Sequence, residues 1–71
     1  MSYDYSRLRG KLAEKGITIG ELVTVLGLTP TTMGRKMAGK SEWTQDEMAA
    51  TCKRLEIDTS EIPTYFFHIA S

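Results

Sequence analysis

Gly34-Arg35-Lys36-Met37-Ala38-Gly39-Lys40-Ser41 matches the phosphate-cradling pattern G-x-x-x-x-G-K-[ST] letter for letter. That pattern holds a nucleotide only as a loop between a buried strand and a following helix, where backbone amides converge on the phosphates. Here its first half falls inside a helix that begins at Thr29-Pro30, no strand precedes it, and a chain of 71 residues has no parallel sheet to carry it. No nucleotide site is assigned. His68, the single histidine, stands in the C-terminal tail without partners fixed around it for nucleophilic or metal chemistry. Cys52, the single cysteine, falls on the apolar stripe of a helix, where a thiol is an inert core group and no internal disulfide is available. Asp46 and Glu47 fall in a first helical turn, where carboxylates complement the helix dipole. The expectation is a protein that is not an enzyme, with no catalytic residue, no metal, no cofactor and no small-molecule substrate.

One constellation survives. Residues 19–26 and 30–38, separated by a tight turn at Gly27, read as a helix-turn-helix, with Leu22, Leu26, Leu28 and Met33 spaced to pack across the turn. In such a unit the second helix enters the major groove and presents its N-terminal side chains to base edges. Thr31, Thr32 and Arg35 are the candidate base contacts, because threonine can hydrogen-bond a base or offer a methyl to thymine and arginine can grip guanine bidentately. Lys36, Lys40 and Ser41 suit phosphates, as do Thr18, Gly20 and Thr29 at helix amino ends.

The charge pattern agrees with a polyanionic partner. Net charge is zero, but residues 1–41 carry seven basic against three acidic side chains and residues 42–71 carry two against six. No acidic residue stands between Glu21 and Glu42. Segregation of this kind suggests contact of the basic half with a polyanion, but on charge alone a solvated face with no partner is the commoner explanation.

The elements that must position these residues are announced by their ends. Thr18-Ile19-Gly20-Glu21 and Thr44-Gln45-Asp46-Glu47 fit the capping box, in which a hydroxyl and a carboxylate satisfy each other's orphan backbone donors. Thr29-Pro30 is a third start, an N-cap followed by proline at the first helical position. Gly16, Gly27 and Gly39 are placed to end helices in the left-handed conformation. Helices are predicted over 5–15, 19–26, 30–38 and 45–55, with a short turn near 58–62 closed by Pro63.

Helical spacing turns Tyr5, Leu8 and Leu12 inward from the first helix, Leu22, Val23 and Leu26 from the second, Met33 and Met37 from the third, and Met48, Ala49, Cys52 and Leu55 from the fourth. Ile17, Leu28, Trp43, Ile57 and Ile62 complete one small core, and Gly10 inside the first helix points to close packing there. The fold class is all-α: a single domain, a bundle of four to five short helices with an extended tail over 64–71. Tyr65, Phe66, Phe67 and Ile69 crowd that tail. Strand-like alternation would turn some of them outward, to a second copy or a partner protein, and the competing reading closes the monomer's own core with all four.

The run Ile17-Thr18-Ile19-Gly20-Glu21-Leu22 through Val25-Leu26-Gly27-Leu28-Thr29-Pro30-Thr31-Thr32-Met33-Gly34-Arg35-Lys36-Met37-Ala38-Gly39-Lys40 resembles the helix-turn-helix of lambda-repressor-like and Cro-like phage regulators. Trp43-Thr44-Gln45-Asp46-Glu47-Met48 and Tyr65-Phe66-Phe67 look like a subgroup of short Cro-like proteins from phages of Gram-positive bacteria. The resemblance implies about five helices, a homodimer on a double-stranded DNA operator, and a role in the choice between lysis and lysogeny. It also implies base contacts at Thr31, Thr32 and Arg35. Pro30 departs from the pattern where a polar base-contacting residue is usual, and Val23 where a smaller residue is commoner.

The main expectation is therefore a sequence-specific DNA-binding repressor. The alternative is an anti-repressor, a modulator that grips a partner phage repressor through the acidic half and the apolar tail. No apolar run reaches the roughly 20 residues of a membrane span, and with no signal-peptide pattern the expected compartment is the cytoplasm of a bacterial host.

Overall fold

Three threonine side chains open three of the helices. In the computed structural model, which describes residues 3–69, the helices are α1 (Ser6–Lys15), α2 (Ile19–Leu26), α3 (Pro30–Met37), α4 (Gln45–Leu55) and α5 (Ile62–Phe66), with a 3₁₀ turn at Thr59–Glu61. Thr18 Oγ1 accepts from the Glu21 N–H at 3.0 Å, Thr29 Oγ1 from the Thr32 N–H at 3.2 Å, and Thr44 Oγ1 from the Glu47 N–H at 3.1 Å. The capping box at Thr44 is complete, because the Thr44 N–H donates back to Glu47 Oε1 at 2.9 Å. The one at Thr18 is half-formed. The Glu21 carboxylate turns away to pair with Arg54 of α4 and so ties α2 to that helix.

Gly16 and Gly27 end α1 and α2 with φ of 69° and 67°. In that left-handed region a side chain would be strained, so the turn between α2 and α3 depends on glycine at position 27. α3 stops one residue before the expected 38, with Ala38 as its C-cap. α4 ends on Glu56 at φ 57°, a left-handed residue that is not glycine and that no sequence signal announces.

α2 packs on α3 and α4, and α1 on α4 and α5, around the core. Every core position expected from α1, α2 and α3 is buried or partly buried, as are Ile17, Leu28, Trp43, Ile57 and Ile62. On α4 the inward arc is displaced from the expected one. Ala49 is exposed, and Thr51 is fully buried in its stead, its hydroxyl satisfied by donating to the Glu47 carbonyl at 2.8 Å. Gly10 marks no close packing: a Cβ built on it meets nothing within 4 Å.

The tail is corrected most. Pro63 opens a helix here rather than closing a turn, since its missing N–H costs nothing in a first turn. Residues 64–66 are consequently helical, and the extended segment expected over 64–71 is reduced, among the described residues, to one antiparallel bridge between Tyr3 and Ile69. Ala70 and Ser71 lie outside the described residues. The architecture is all-helical, with no strand among the described residues. No described helix is long and apolar enough to cross a membrane.

Candidate functional site

The outward face of α3 holds Thr31 and Arg35, both exposed. Arg35 Nε donates to Ser41 Oγ at 3.3 Å and so leans along the loop after α3. Thr32 is half-buried, and its hydroxyl accepts from Thr29 Oγ1 at 3.0 Å. The Thr18 and Thr29 hydroxyls are engaged as caps, while Gly20 and Lys40 are exposed and Ser41 is half-buried.

Lys36 departs most from its expected role. It is buried, with its Nζ 2.8 Å from Glu47 Oε1 and donating to the Glu42 carbonyl at 2.6 Å. An ammonium used in this way cannot serve as a free phosphate contact. The sequence placed Lys36 on the solvated side because its chemistry suggested it; the α4 carboxylate that draws it inward lies eleven positions further on.

The tail residues divide. Tyr65 and Phe66 lie on the inner arc of α5 and are buried, whereas Phe67 and Ile69, beyond the helix, are 45% and 48% exposed. Neither reading of the tail is met in full: two of its four side chains close the core and two face outward. Phe67 sets its ring edge-on to Tyr3, with centroids 5.6 Å apart at 72°. The Asp4 N–H donates to the His68 carbonyl at 2.7 Å beside the Tyr3–Ile69 bridge, so the N-terminal segment is clipped to the C-terminal one.

Next to this clip lies a groove of about 420 Å³. Its lining includes an aromatic cluster, with the Trp43 ring centroid 5.9 Å from that of Tyr5 and 4.9 Å from that of Phe66, and residues 39–42 of the loop after α3. Burial, with Tyr3 adding to it, pushes the Tyr5 hydroxyl above the usual tyrosine range; the nearby Trp43 indole opposes that shift. The indole N–H is itself buried and reaches no acceptor at hydrogen-bonding geometry. Tyr3 escaped the sequence reading because it stands outside any helical period, and only the antiparallel pairing of the two chain ends brings it to Phe67.

Comparison with known proteins bears on what such surfaces do. No curated protein matches the chain. Among solved structures it is similar to the modulator of repression (MOR) of the temperate bacteriophage TP901-1 from Lactococcus lactis, at 40% identity and a TM-score of 0.75, over 94% of this chain and 90% of that one. This overturns the expectation of a Cro-like repressor reading an operator through Thr31, Thr32 and Arg35. A relative this similar over nearly its whole length is described by its effect on repression, not as a repressor. The two helices and their glycine turn are common to many regulators and do not by themselves specify DNA reading. Operator DNA and a homodimer formed on it, expected as partners on that reading, lose their support with it. Residues 1–69 match the model of a family described as "Protein of unknown function (DUF739)", and the chain belongs to that family.

Proposed function

We propose that this protein is a modulator of repression: a small helical protein that binds a phage repressor and changes how that repressor occupies its DNA. One observation carries the reading, the 40% identity to the TP901-1 modulator of repression over 94% of the chain. The surface chemistry is consistent with it. The helix first assigned to the major groove has its only lysine withdrawn into an ion pair, while exposed aromatic and aliphatic side chains gather where the chain ends meet. Exposed apolar patches are a mark of protein partners.

The proposed activity needs no catalytic step, and it places the protein with its repressor in the cytoplasm of the bacterial host. The test is a gel shift with operator DNA and the purified repressor encoded by the same phage, with and without this chain. The expected result is a changed repressor–DNA equilibrium when the chain is added and no retardation by the chain alone. Retardation of operator DNA by the chain alone, with the steep salt dependence of phosphate contacts, together with an unchanged repressor equilibrium, would overturn the reading.

A further inference from the structure

α3 has little of its own to hold it shut. Its sequence, Pro30-Thr31-Thr32-Met33-Gly34-Arg35-Lys36-Met37, includes two threonines and a glycine, all weak helix formers. It packs chiefly on α2. Two of its apolar side chains, Met33 and Met37, enter the core, and both are unbranched, polarizable chains that repack at low cost.

The ties from α3 to α4 and α1 are polar. Lys36 pairs with Glu47 of α4 and holds the Glu42 carbonyl, and Arg9 of α1 donates to the Met37 carbonyl over a long 3.4 Å. A buried ion pair resists opening weakly, because both charges regain water when they separate. Gly27 and Gly39 bracket the helix with φ of 67° and 77°, left-handed positions where the chain can change direction at little steric cost. Beyond the loop, Trp43 packs against Tyr5 and Phe66 and anchors the chain again. α2 keeps a separate hold on α4 through its own packing and the Arg54–Glu21 pair.

We propose that α3 and the loop to Glu42 form a unit that opens by itself, between Gly27 and Trp43, while α1, α2, α4 and α5 stay folded. Closed, the unit places residues 39–42 in the lining of the groove, with Lys36 holding the Glu42 carbonyl. Open, it returns Lys36 and Glu47 to water and withdraws that part of the lining. The groove therefore has two states, and the stability of α3 sets their ratio. Local openings of this kind lie below global unfolding in free energy, and amide hydrogen exchange separates the two.

Gly10 of α1 and Gly34 of α3 are matched probes, since a Cβ built on either meets nothing within 4 Å. The experiment is native-state hydrogen exchange of the ¹⁵N-labelled full chain at neutral pH, in urea below the unfolding transition. It compares the α3 amides, with those of Ala38, Gly39 and Lys40 that bond back to the helix, against the amides of α1 and α4. The α3 set should share one opening, populated about tenfold or more above the global unfolding that frees α1 and α4. Gly34→Ala should slow exchange about fourfold in all three helices, because it favours closed α3 over both the open and the unfolded chain. Gly10→Ala should slow α1 and α4 by about two- to fivefold and leave α3 unchanged, because α1 is folded whether α3 is open or closed. Lys36→Met, which strands the Glu47 carboxylate in the closed state, should speed α3 exchange about thirtyfold or more. Slowing of α3 by both alanines alike, or protection in α3 equal to that in α1 and α4, means that α3 opens only with the whole molecule and overturns the unit. Exchange creeping inward from the ends of α3, with no shared response to urea, is fraying and overturns it too. Unchanged α3 exchange in Lys36→Met overturns the ion pair as its closure.

Discussion

Lys36 and Glu47 meet at 2.8 Å between α3 and α4, their side chains only 8% and 15% exposed. The same carboxylate oxygen accepts the Thr44 N–H and so closes the α4 capping box, while the same ammonium holds the Glu42 carbonyl. One ion pair thus pins the end of α3, the start of α4 and the loop between them, which lines part of the groove. Removing one partner of a fully buried pair costs about 3–5 kcal/mol, because the other charge is left unpaired. Glu47 keeps its Thr44 contact and some water, so Lys36→Met should cost about 2–3 kcal/mol, below that range. Urea unfolding of Lys36→Met and of Lys36→Met with Glu47→Met reads this directly. The double variant should recover part of the loss, and a single variant that unfolds with the wild type would show that the pin does not stabilise.

Acid should release the same pin. Burial acts to raise the Glu47 pKa, but hydrogen bonds from Lys36 and from the Thr44 N–H, with the lysine's charge, outweigh it and hold the carboxyl below its ordinary 4.5. A carboxyl whose folded pKa is depressed contributes stability that is complete above its unfolded value and lost as pH falls through the folded one. Stability should therefore decline from about pH 4.5 downward. Asp4 and Asp58, held low chiefly by the backbone N–H groups of Ser6 and Ser60, add to the acid limb. Glu47→Gln should be less stable than wild type at neutral pH and should lose less on acidification. Chemical unfolding at pH 7 and at a series of values below 4.5 checks both, and an acid limb as steep as that of the wild type would exclude Glu47 as a contributor.

What could be read from the sequence and what could not follows a physical line. Caps and glycine stops act within a few residues, so the starts at Thr18, Thr29 and Thr44 and the turn at Gly27 were legible from spacing. Lys36 was misread because its burial depends on a carboxylate from another helix, and Glu21 because Arg54 of α4 competes for its capping role. Tyr65 and Phe67 look alike in a list of apolar tail residues, and only the short helix that Pro63 opens separates them. The groove was invisible for a related reason: it joins residues from both chain ends and from a loop, which no local period connects.

Gly10 and Glu56 each hold a residue type better suited to the other's conformation. Gly10 sits inside α1 with open space where a Cβ would go, so Gly10→Ala should stabilise by about 0.5–1 kcal/mol through helix propensity. Glu56 takes φ 57° at the end of α4, a conformation that costs a non-glycine residue about 1 kcal/mol. Glu56→Gly should therefore also stabilise, offset in part by the greater entropy of the unfolded chain. Thermal melts of both variants are the check, and a lowered midpoint for Gly10→Ala would mean that the α1 surface is less open than its geometry shows.

Phe66 and Phe67 are adjacent, yet they should respond differently to truncation. Phe66 is 1% exposed and packs its ring against Trp43 at 4.9 Å, whereas Phe67 is 45% exposed and touches the Tyr3 ring edge-on. Replacing a fully buried phenylalanine by alanine removes its transfer free energy and leaves a cavity, typically costing about 3–5 kcal/mol. A core this small draws on total stability of only about 5–15 kcal/mol, so Phe66→Ala should be close to unfolding at 37 °C. Phe67→Ala removes one edge-on aromatic contact and little buried area, and should cost about 0.5–1.5 kcal/mol. Urea unfolding of the two variants side by side makes the comparison. Equal losses would return the tail to a single role, either all core or all surface.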